Sequence, residues 1–304
     1  MNVIGITMGD PSGIGPEIAL KAISELHKHY NLVLIGSKNI LQSSCEEFKI
    51  PYIPEIIESS DELRKEIPYG KSTKEAGKSA YKAILKGIEL LKLGKISAIV
   101  TAPISKKSLQ LAGIRAPGHT EIFARQFGVK DYAMMLVKDD LRVTLVTTHL
   151  PIREVPKSIT REQVFIKIIL TAEFLNKKLK VQTPRIGVCS LNPHAGEIGG
   201  DEENEAIIPA IKDARNKGVS IEGPFAGDTI WTRKFDAYIA MYHDQGLIPL
   251  KINGVSHVVN VTLGLPFVRT SPGHGTAFDI AGKGIADPTS MINAIEFAYK
   301  ILGK

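Results

Sequence analysis

Short β-branched runs alternate along the chain with longer stretches of helical period. Val3-Ile4-Gly5-Ile6-Thr7 and Leu32-Val33-Leu34-Ile35-Gly36 read as buried strands, because short apolar runs bounded by turn formers suit a strand covered on both faces. Ser97-Ala98-Ile99-Val100-Thr101 is another, stopped at Ala102-Pro103. Further strands are predicted at 131–137, 143–147, 185–189, 237–241 and 257–261. Helices are predicted over 16–27, 76–93, 160–176, 203–217 and 290–302. Pro16 sits at a permitted first-turn position, and Gly94 closes the second helix. Strands interleaved with helices predict an α/β fold with largely parallel sheets, in which functional loops follow the strand C-termini.

The length of 304 residues suits one large domain or two closely packed ones. With 43% hydrophobic and 23% charged residues, the chain is an ordinary globular sequence, which excludes disordered, collagen-like and disulfide-scaffold classes. The net charge of +6 is spread along the chain, and its densest cluster, Lys177-Lys178-Leu179-Lys180, reads as a solvated helix end. Only 6% of residues are aromatic, so a nucleic-acid surface is not expected, while an anionic small substrate is. Cys45 and Cys189 form no CxxC pair, which fits a reducing compartment. There is no apolar run of about 18 residues and no charged segment before Val3. The expectation is a soluble cytoplasmic protein without a membrane partner.

The segment GKSTKEAGKS fails the Walker spacing, because Ser72 stands where the first glycine belongs; it reads as a loop running into a helix. Met8-Gly9-Asp10-Pro11-Ser12-Gly13-Ile14-Gly15-Pro16-Glu17 follows the first strand and opens the first helix, a place where glycines and a helix N-terminus suit an anion. It lacks the third glycine of the ordinary dinucleotide fingerprint, and a plain tight turn is the bland alternative. His119 and Thr120, within Pro117-Gly118-His119-Thr120-Glu121, are candidate donors to an anionic ligand; Thr120 also suits a helix N-cap. His149, His194 and His243 each end a predicted strand or enter the loop after it. Three imidazoles suit Zn²⁺ or a similar divalent ion with one coordination position left open. Asp244 is a candidate partner of His243, or a base. Lys251, Asn260 and Arg269 lie near predicted strand ends, with Arg269 in a turn, and together suit a phosphate or carboxylate. In the glycine-rich stretch 274–288, His274 and Asp287 are polar anchors for a cofactor lying along Gly275, Thr276 and Ala277.

The stretches GDPSGIGPEI, TAPISK, GHTE, LRVTLVTTHLP, LNPHAGE, MYHDQG and VNVTLGLPFVRTSPGHGTAFDIAGKGIAD occur in fixed order over residues 9–287. In them the chain resembles the 4-hydroxythreonine-4-phosphate dehydrogenase family of pyridoxal phosphate biosynthesis. The last stretch is also similar to the cofactor loop of the isopropylmalate and isocitrate dehydrogenases, whose metal ligands are aspartates rather than histidines. The resemblance implies a homodimer of two-lobed α/β/α subunits, isopropylmalate dehydrogenase-like, with the active site in the interlobe cleft. It implies a cofactor-side lobe of 1–125 plus 255–304 and a metal-site and dimerisation lobe of 126–254. It implies that His149 and His194 of one subunit, with His243 of the other, hold a divalent metal (Zn, Mg or Co). His119, Thr120, Lys251, Asn260 and Arg269 then bind a phosphorylated hydroxy acid. Gly13, His274, Gly275, Thr276, Ala277 and Asp287 lie along NAD or NADP, and Asp244 and Lys251 are the candidate catalytic groups.

The implied reaction oxidises the secondary hydroxyl of 4-phosphohydroxy-L-threonine to a ketone, and the β-keto acid loses CO₂ to give 3-amino-2-oxopropyl phosphate. YHDQGLIPLK and HGTAFDIAG are also similar to a group acting on D-threonate or D-erythronate 4-phosphate, the alternative substrate class. The stretch Ile198-Gly199-Gly200-Asp201-Glu202-Glu203 is shorter and more acidic than expected for some members of the family. A non-catalytic binding module on this scaffold is the competing class, and the presence of all three histidines and of the Lys251, Asn260, Arg269 cluster argues against it.

Overall fold

The structure is a computed structural model that describes residues 2–52, 54–59, 67–197, 200–254 and 256–303. Its first half runs β1 (Val3–Thr7), α1 (Gly15–Leu26), β2 (Asn31–Gly36), α2 (Lys38–Glu47), β3 (Ile56–Glu58), α3 (Lys74–Lys92), β4 (Ala98–Thr101), α4 (Lys106–Leu111) and α5 (His119–Gln126). There follow β5 (Ala133–Lys138), β6 (Leu141–Leu145), α6 (Val155–Ser158), α7 (Arg161–Lys177) and β7 (Ile186–Cys189). The chain ends with α8 (Ile208–Asn216), β8 (Ile221–Phe225), β9 (Ala237–Ala240), α9 (His243–Lys251), β10 (Val259–Leu263), β11 (Val268–Pro272) and α10 (Thr289–Leu302). Among the described residues, no helix is long and apolar enough to cross a membrane.

The chain divides into two compact units, Met1–Lys130 with Leu265–Gly303, and Asp131–Gly264. In the first, the strand order is β3-β2-β1-β4-β11, and every neighbouring pair is parallel. Ile4, Ile6, Leu34, Ile35 and Ile99 are fully buried, as strands covered on both faces require. Ile99 meets α3 at Gly87. Thr270, which pairs with Val100 on the opposite face, donates to Ala294 O of α10. Helices therefore cover both faces. The loop before α3 ends in a side-chain cap, Thr73 Oγ1 accepting from Ala76 N at 3.1 Å, so GKSTKEAGKS is a helix-entering loop.

In the second unit the order is β10-β5-β6-β9-β7-β8. Strands β5 and β6 form a hairpin closed at Lys138↔Leu141, with Asp139 at φ 52°, and β10 is antiparallel to β5; the other pairs are parallel. Leu136, Val143, Leu145, Tyr238, Leu247 and Leu250 build its core.

Three local expectations need correction. Residues 203–217 do not form one regular helix: Glu203–Ile207 is a π turn that leads into α8. Pro209 has no N–H for the carbonyl four residues back, and the chain widens there. His243 opens helix α9 instead of lying in a loop; Gly246 and Pro249 inside that helix hide it from a propensity reading. Arg269 lies within strand β11, not in a turn. Its neighbours Thr270 and Ser271 are polar, so the segment lacks the apolar signature of a strand although all five residues are buried.

Candidate active site

In the first unit, β11 and β4 are in register, so Arg269 and Thr101 lie on one face two residues apart. Arg269 is 2% exposed, and its Nη2 donates to Thr101 Oγ1 at 2.6 Å. Burial pulls the guanidinium down to about 10, with Glu121 opposing, so it stays charged at neutral pH. Helix α5 begins at His119 and is capped by Gly118, in extended backbone; Thr120 is its second residue and makes no cap. The His119 residue is half-buried, yet its Nε2 is sealed and has no hydrogen-bond partner. Burial first and the neighbouring Arg269 charge second push its pKa well below the usual 6.5, which keeps the imidazole neutral. A neutral ring nitrogen and a buried cation side by side are a receptor for an anionic oxygen.

The loop after β1 sits against the 274–287 segment. Ile14 N donates to Thr276 O at 3.0 Å. A Cβ on Gly13 would lie 2.7 Å from the same oxygen. Gly13 is therefore needed for the two loops to touch. Buried Glu17 accepts from Ala286 N at 2.9 Å and from Lys21 Nζ at 2.6 Å. Lys21 Nζ also donates to Gly284 O and Ala286 O, so α1 pins the far end of the segment. Asp10 is fully buried in the same loop. Burial raises its pKa against the hydrogen bonds from Ser108, Ser12 and Ser105 that lower it. Space is open around Gly275, as a dinucleotide against the backbone needs. His274 Nδ1 lies 3.0 Å from Gly275 O, and Ala277 is left-handed at φ 42°. Asp287 accepts from Thr289 N and Oγ1 at the start of α10. A separate cavity of about 700 Å³ in this unit, lined by Tyr81, Arg115, Arg125 and Gln126 among others, holds Glu121 but no other residue of the Arg269 cluster.

In the second unit, β6 and β9 are parallel neighbours, so the loops that leave their C-termini emerge side by side. Thr147 bonds Met241 O through both its N–H and its hydroxyl. Just beyond, the rings of His149 and His243 stand 5.7 Å apart. His243 Nδ1 is 2.6 Å from Asp244 Oδ1, which leaves Nε2 for a ligand. Gln245 joins this loop to the next one: its Oε1 accepts from Met241 N and its Nε2 donates to Ser190 O, both at 2.7 Å. His194 follows β7, exposed and left-handed at φ 52°. Among the described residues no three His, Cys, Asp or Glu side chains of one chain gather into a metal site. Two neighbouring imidazoles suit a divalent ion as part of its ligand set. Lys251 closes α9. Asn260 lies in β10 with a buried Oδ1 that has no hydrogen-bond partner, a polar atom left for a ligand.

Sequence reasoning missed Glu17, Lys21, Gln245, Asn192 and Glu203, although several lie inside the quoted motifs. A buried, bonded carboxylate such as Glu203 looks like any solvated glutamate until its neighbours are known.

The profile described as "Pyridoxal phosphate biosynthetic protein PdxA" matches residues 24–298. The chain belongs to the PdxA family. It is 41% identical over 311 residues to a 4-hydroxythreonine-4-phosphate dehydrogenase of Sulfurihydrogenibium sp., covering 97% of each chain. It is 40% identical to a protein of Oceanobacillus iheyensis provisionally named a D-threonate 4-phosphate dehydrogenase, covering 98% of this chain and 97% of that one. The solved 4-hydroxythreonine-4-phosphate dehydrogenase of Klebsiella pneumoniae superposes with a TM-score of 0.87 at 36% identity, over 99% of both chains. An isocitrate dehydrogenase of Methylococcus capsulatus, at 15% identity and a TM-score of 0.51, shares the fold alone. These relatives support the dehydrogenase reading of this PdxA-family chain, with D-threonate 4-phosphate as the alternative substrate.

Proposed function

We propose that the chain is a homodimeric, divalent-metal-dependent dehydrogenase that oxidises the secondary hydroxyl of 4-phosphohydroxy-L-threonine. Hydride passes to NAD or NADP, a proton is released, and the β-keto acid loses CO₂ to give 3-amino-2-oxopropyl phosphate. The observation that carries this reading is the pair of imidazoles, His149 and His243, with ring centroids 5.7 Å apart, to which no third His, Cys, Asp or Glu ligand is added among the described residues. A second copy would supply the missing histidine. Exposed Leu150 and Ile152 next to His149, with Ile248 on α9 and Ile252 just after it, offer the apolar surface such a copy would cover.

A divalent ion held by the histidines would supply Lewis-acid polarisation of the substrate's hydroxyl and carboxylate oxygens, and a nicotinamide along residues 274–287 would supply the hydride acceptor. The chain's own residues bind and orient. Arg269, neutral His119, Thr120, Lys251 and Asn260 bind the phosphorylated substrate, the cations and donors taking its anionic oxygens and Asn260 Oδ1 accepting from its hydroxyl or ammonium group. Asp244 fixes the His243 ring through Nδ1 and, with Lys251, is a candidate catalytic group. His274, Gly275, Thr276, Ala277 and Asp287 lie along the cofactor, and Gly13 supports Thr276 from behind.

The structure pairs His149 with His243, whereas the family resemblance pairs His149 with His194. Mixing inactive variants separates the two. His149→Ala, His194→Ala and His243→Ala are made, and each pair of variants is co-refolded with exchange verified by differential tags. Ligands from one subunit cannot complement each other; ligands from different subunits can. A cis pair of His149 and His243 gives no recovery for that mixture and recovery for the other two. A cis pair of His149 and His194 moves the silent mixture accordingly, and no recovery anywhere refutes a shared site. Reduction of NAD by 4-phosphohydroxy-L-threonine and by D-threonate 4-phosphate, each with and without chelator, decides the substrate. Full turnover in verified metal-free enzyme would refute the metal.

A further inference from the structure

His194 and Ala195 are consecutive left-handed residues, at φ/ψ of 52°/31° and 57°/33°. Side chains with a Cβ rarely adopt this conformation, least of all twice in a row, unless the surroundings enforce it. The loop that carries them is tied on both sides to Glu203. That glutamate is 1% exposed, at the start of the π turn that precedes α8. Its Oε1 accepts from both Leu191 N and Asn192 N at 2.8 Å, and its Oε2 accepts from Asn192 Nδ2 at 2.8 Å. Asn192 Nδ2 also reaches Glu202 Oε2 at 2.9 Å, and Ser190 Oγ closes on Asn192 O at 2.8 Å. The far side of the loop presses on the same group. A Cβ on Gly196 would lie 3.0 Å from Glu203 Cγ, and one on Gly200 would lie 2.5 Å from Glu203 Oε2. The stretch after LNPHAGE, of which Ile198 and Gly199 lie outside the described residues, thus returns the chain to one buried carboxylate. Glu197 and Asp201, nearer to His194 in sequence, are exposed.

We infer that Glu203 is the positioning residue for His194: it anchors the 190–197 loop and so sets the imidazole for metal binding. Both its oxygens are taken by the loop, so it acts on the ion only through His194. The inference rests on the reading of His194 as a metal ligand, and the test separates the two. Glu203→Gln keeps the volume but turns an amide NH₂ toward Asn192 Nδ2, donor against donor. Two readouts are taken on protein stripped of metal. Deuterium exchange across 190–197 should be at least tenfold faster than in wild type. Co²⁺ affinity, from titration calorimetry and the visible absorption of the bound ion, should fall about 10–100-fold. In a His194→Ala background the same substitution should change Co²⁺ affinity less than twofold. A purely structural role would lower Tm while leaving Co²⁺ affinity per folded molecule unchanged. If Glu203→Gln does not fold, Asn192→Ala removes one arm of the anchor and should show the same two effects, several-fold in size. Wild-type exchange and wild-type Co²⁺ affinity in a folded variant overturn the inference. Wild type that takes up no Co²⁺ overturns the metal reading and the inference with it.

Discussion

His119 is a neutral histidine beside a buried arginine, and that has a consequence for acid stability. Its pKa lies well below the 6.5 of an exposed imidazole, first because Nε2 is sealed and second because Arg269 repels a proton. The unfolded chain, free of both effects, binds a proton as the pH drops below 6.5, while the folded chain does not. The folded state then binds fewer protons, so stability falls with falling pH, at a limiting rate of about 1.4 kcal/mol per pH unit. The loss begins near pH 6.5 and stops once the pH passes below the folded pKa. Between pH 7 and pH 5, one such histidine removes up to about 2 kcal/mol. His119→Gln removes the titrating ring but keeps a polar side chain. Urea unfolding of both proteins at pH 7 and pH 5 measures the difference, which isolates His119 from the other titrating groups. Wild type should lose up to about 2 kcal/mol more than the variant over this range. Equal losses in the two proteins would refute the sealed, neutral imidazole.

Two further outcomes follow from the same geometry. Arg269→Ala removes both the charge and the planar fork that reaches Thr101, so KM for the phosphorylated substrate should rise at least tenfold, with a loss in kcat/KM of roughly 2–5 kcal/mol from breaking a desolvated charge pair; an unchanged KM would show that this cluster does not read the anion. Gly77→Ala in α3 should destabilise by about 1–3 kcal/mol or more despite its better helix propensity, because the new Cβ would lie 2.0 Å from the backbone oxygen of Ser108. Gly87→Ala, whose one close contact is with the rotatable tip of Ile99, should cost less, and equal Tm losses for the two would contradict this account.

The sequence by itself determined the α/β class, the central strands and the long helices. Each of these is a local pattern of two or 3.6 residues, and local patterns survive without knowledge of neighbours. It also supplied the three histidines after strand ends, because loops after strand C-termini are where such folds place chemistry. Only the tertiary structure decided the rest. Arg269 looked like a turn cation and is a buried strand residue, since its burial comes from the pairing of β11 with β4, far away in sequence. The approach of His149 to His243 depends on β6 and β9 being neighbours; Thr147 and Met241, which bond there, are 94 residues apart. His243 opens a helix that Gly246 and Pro249 disguise, because packing against β6 and β9 outweighs their poor propensity. Glu203 is the extreme case. A carboxylate becomes an anchor only when a loop folds around it, and no property of the residue announces that event.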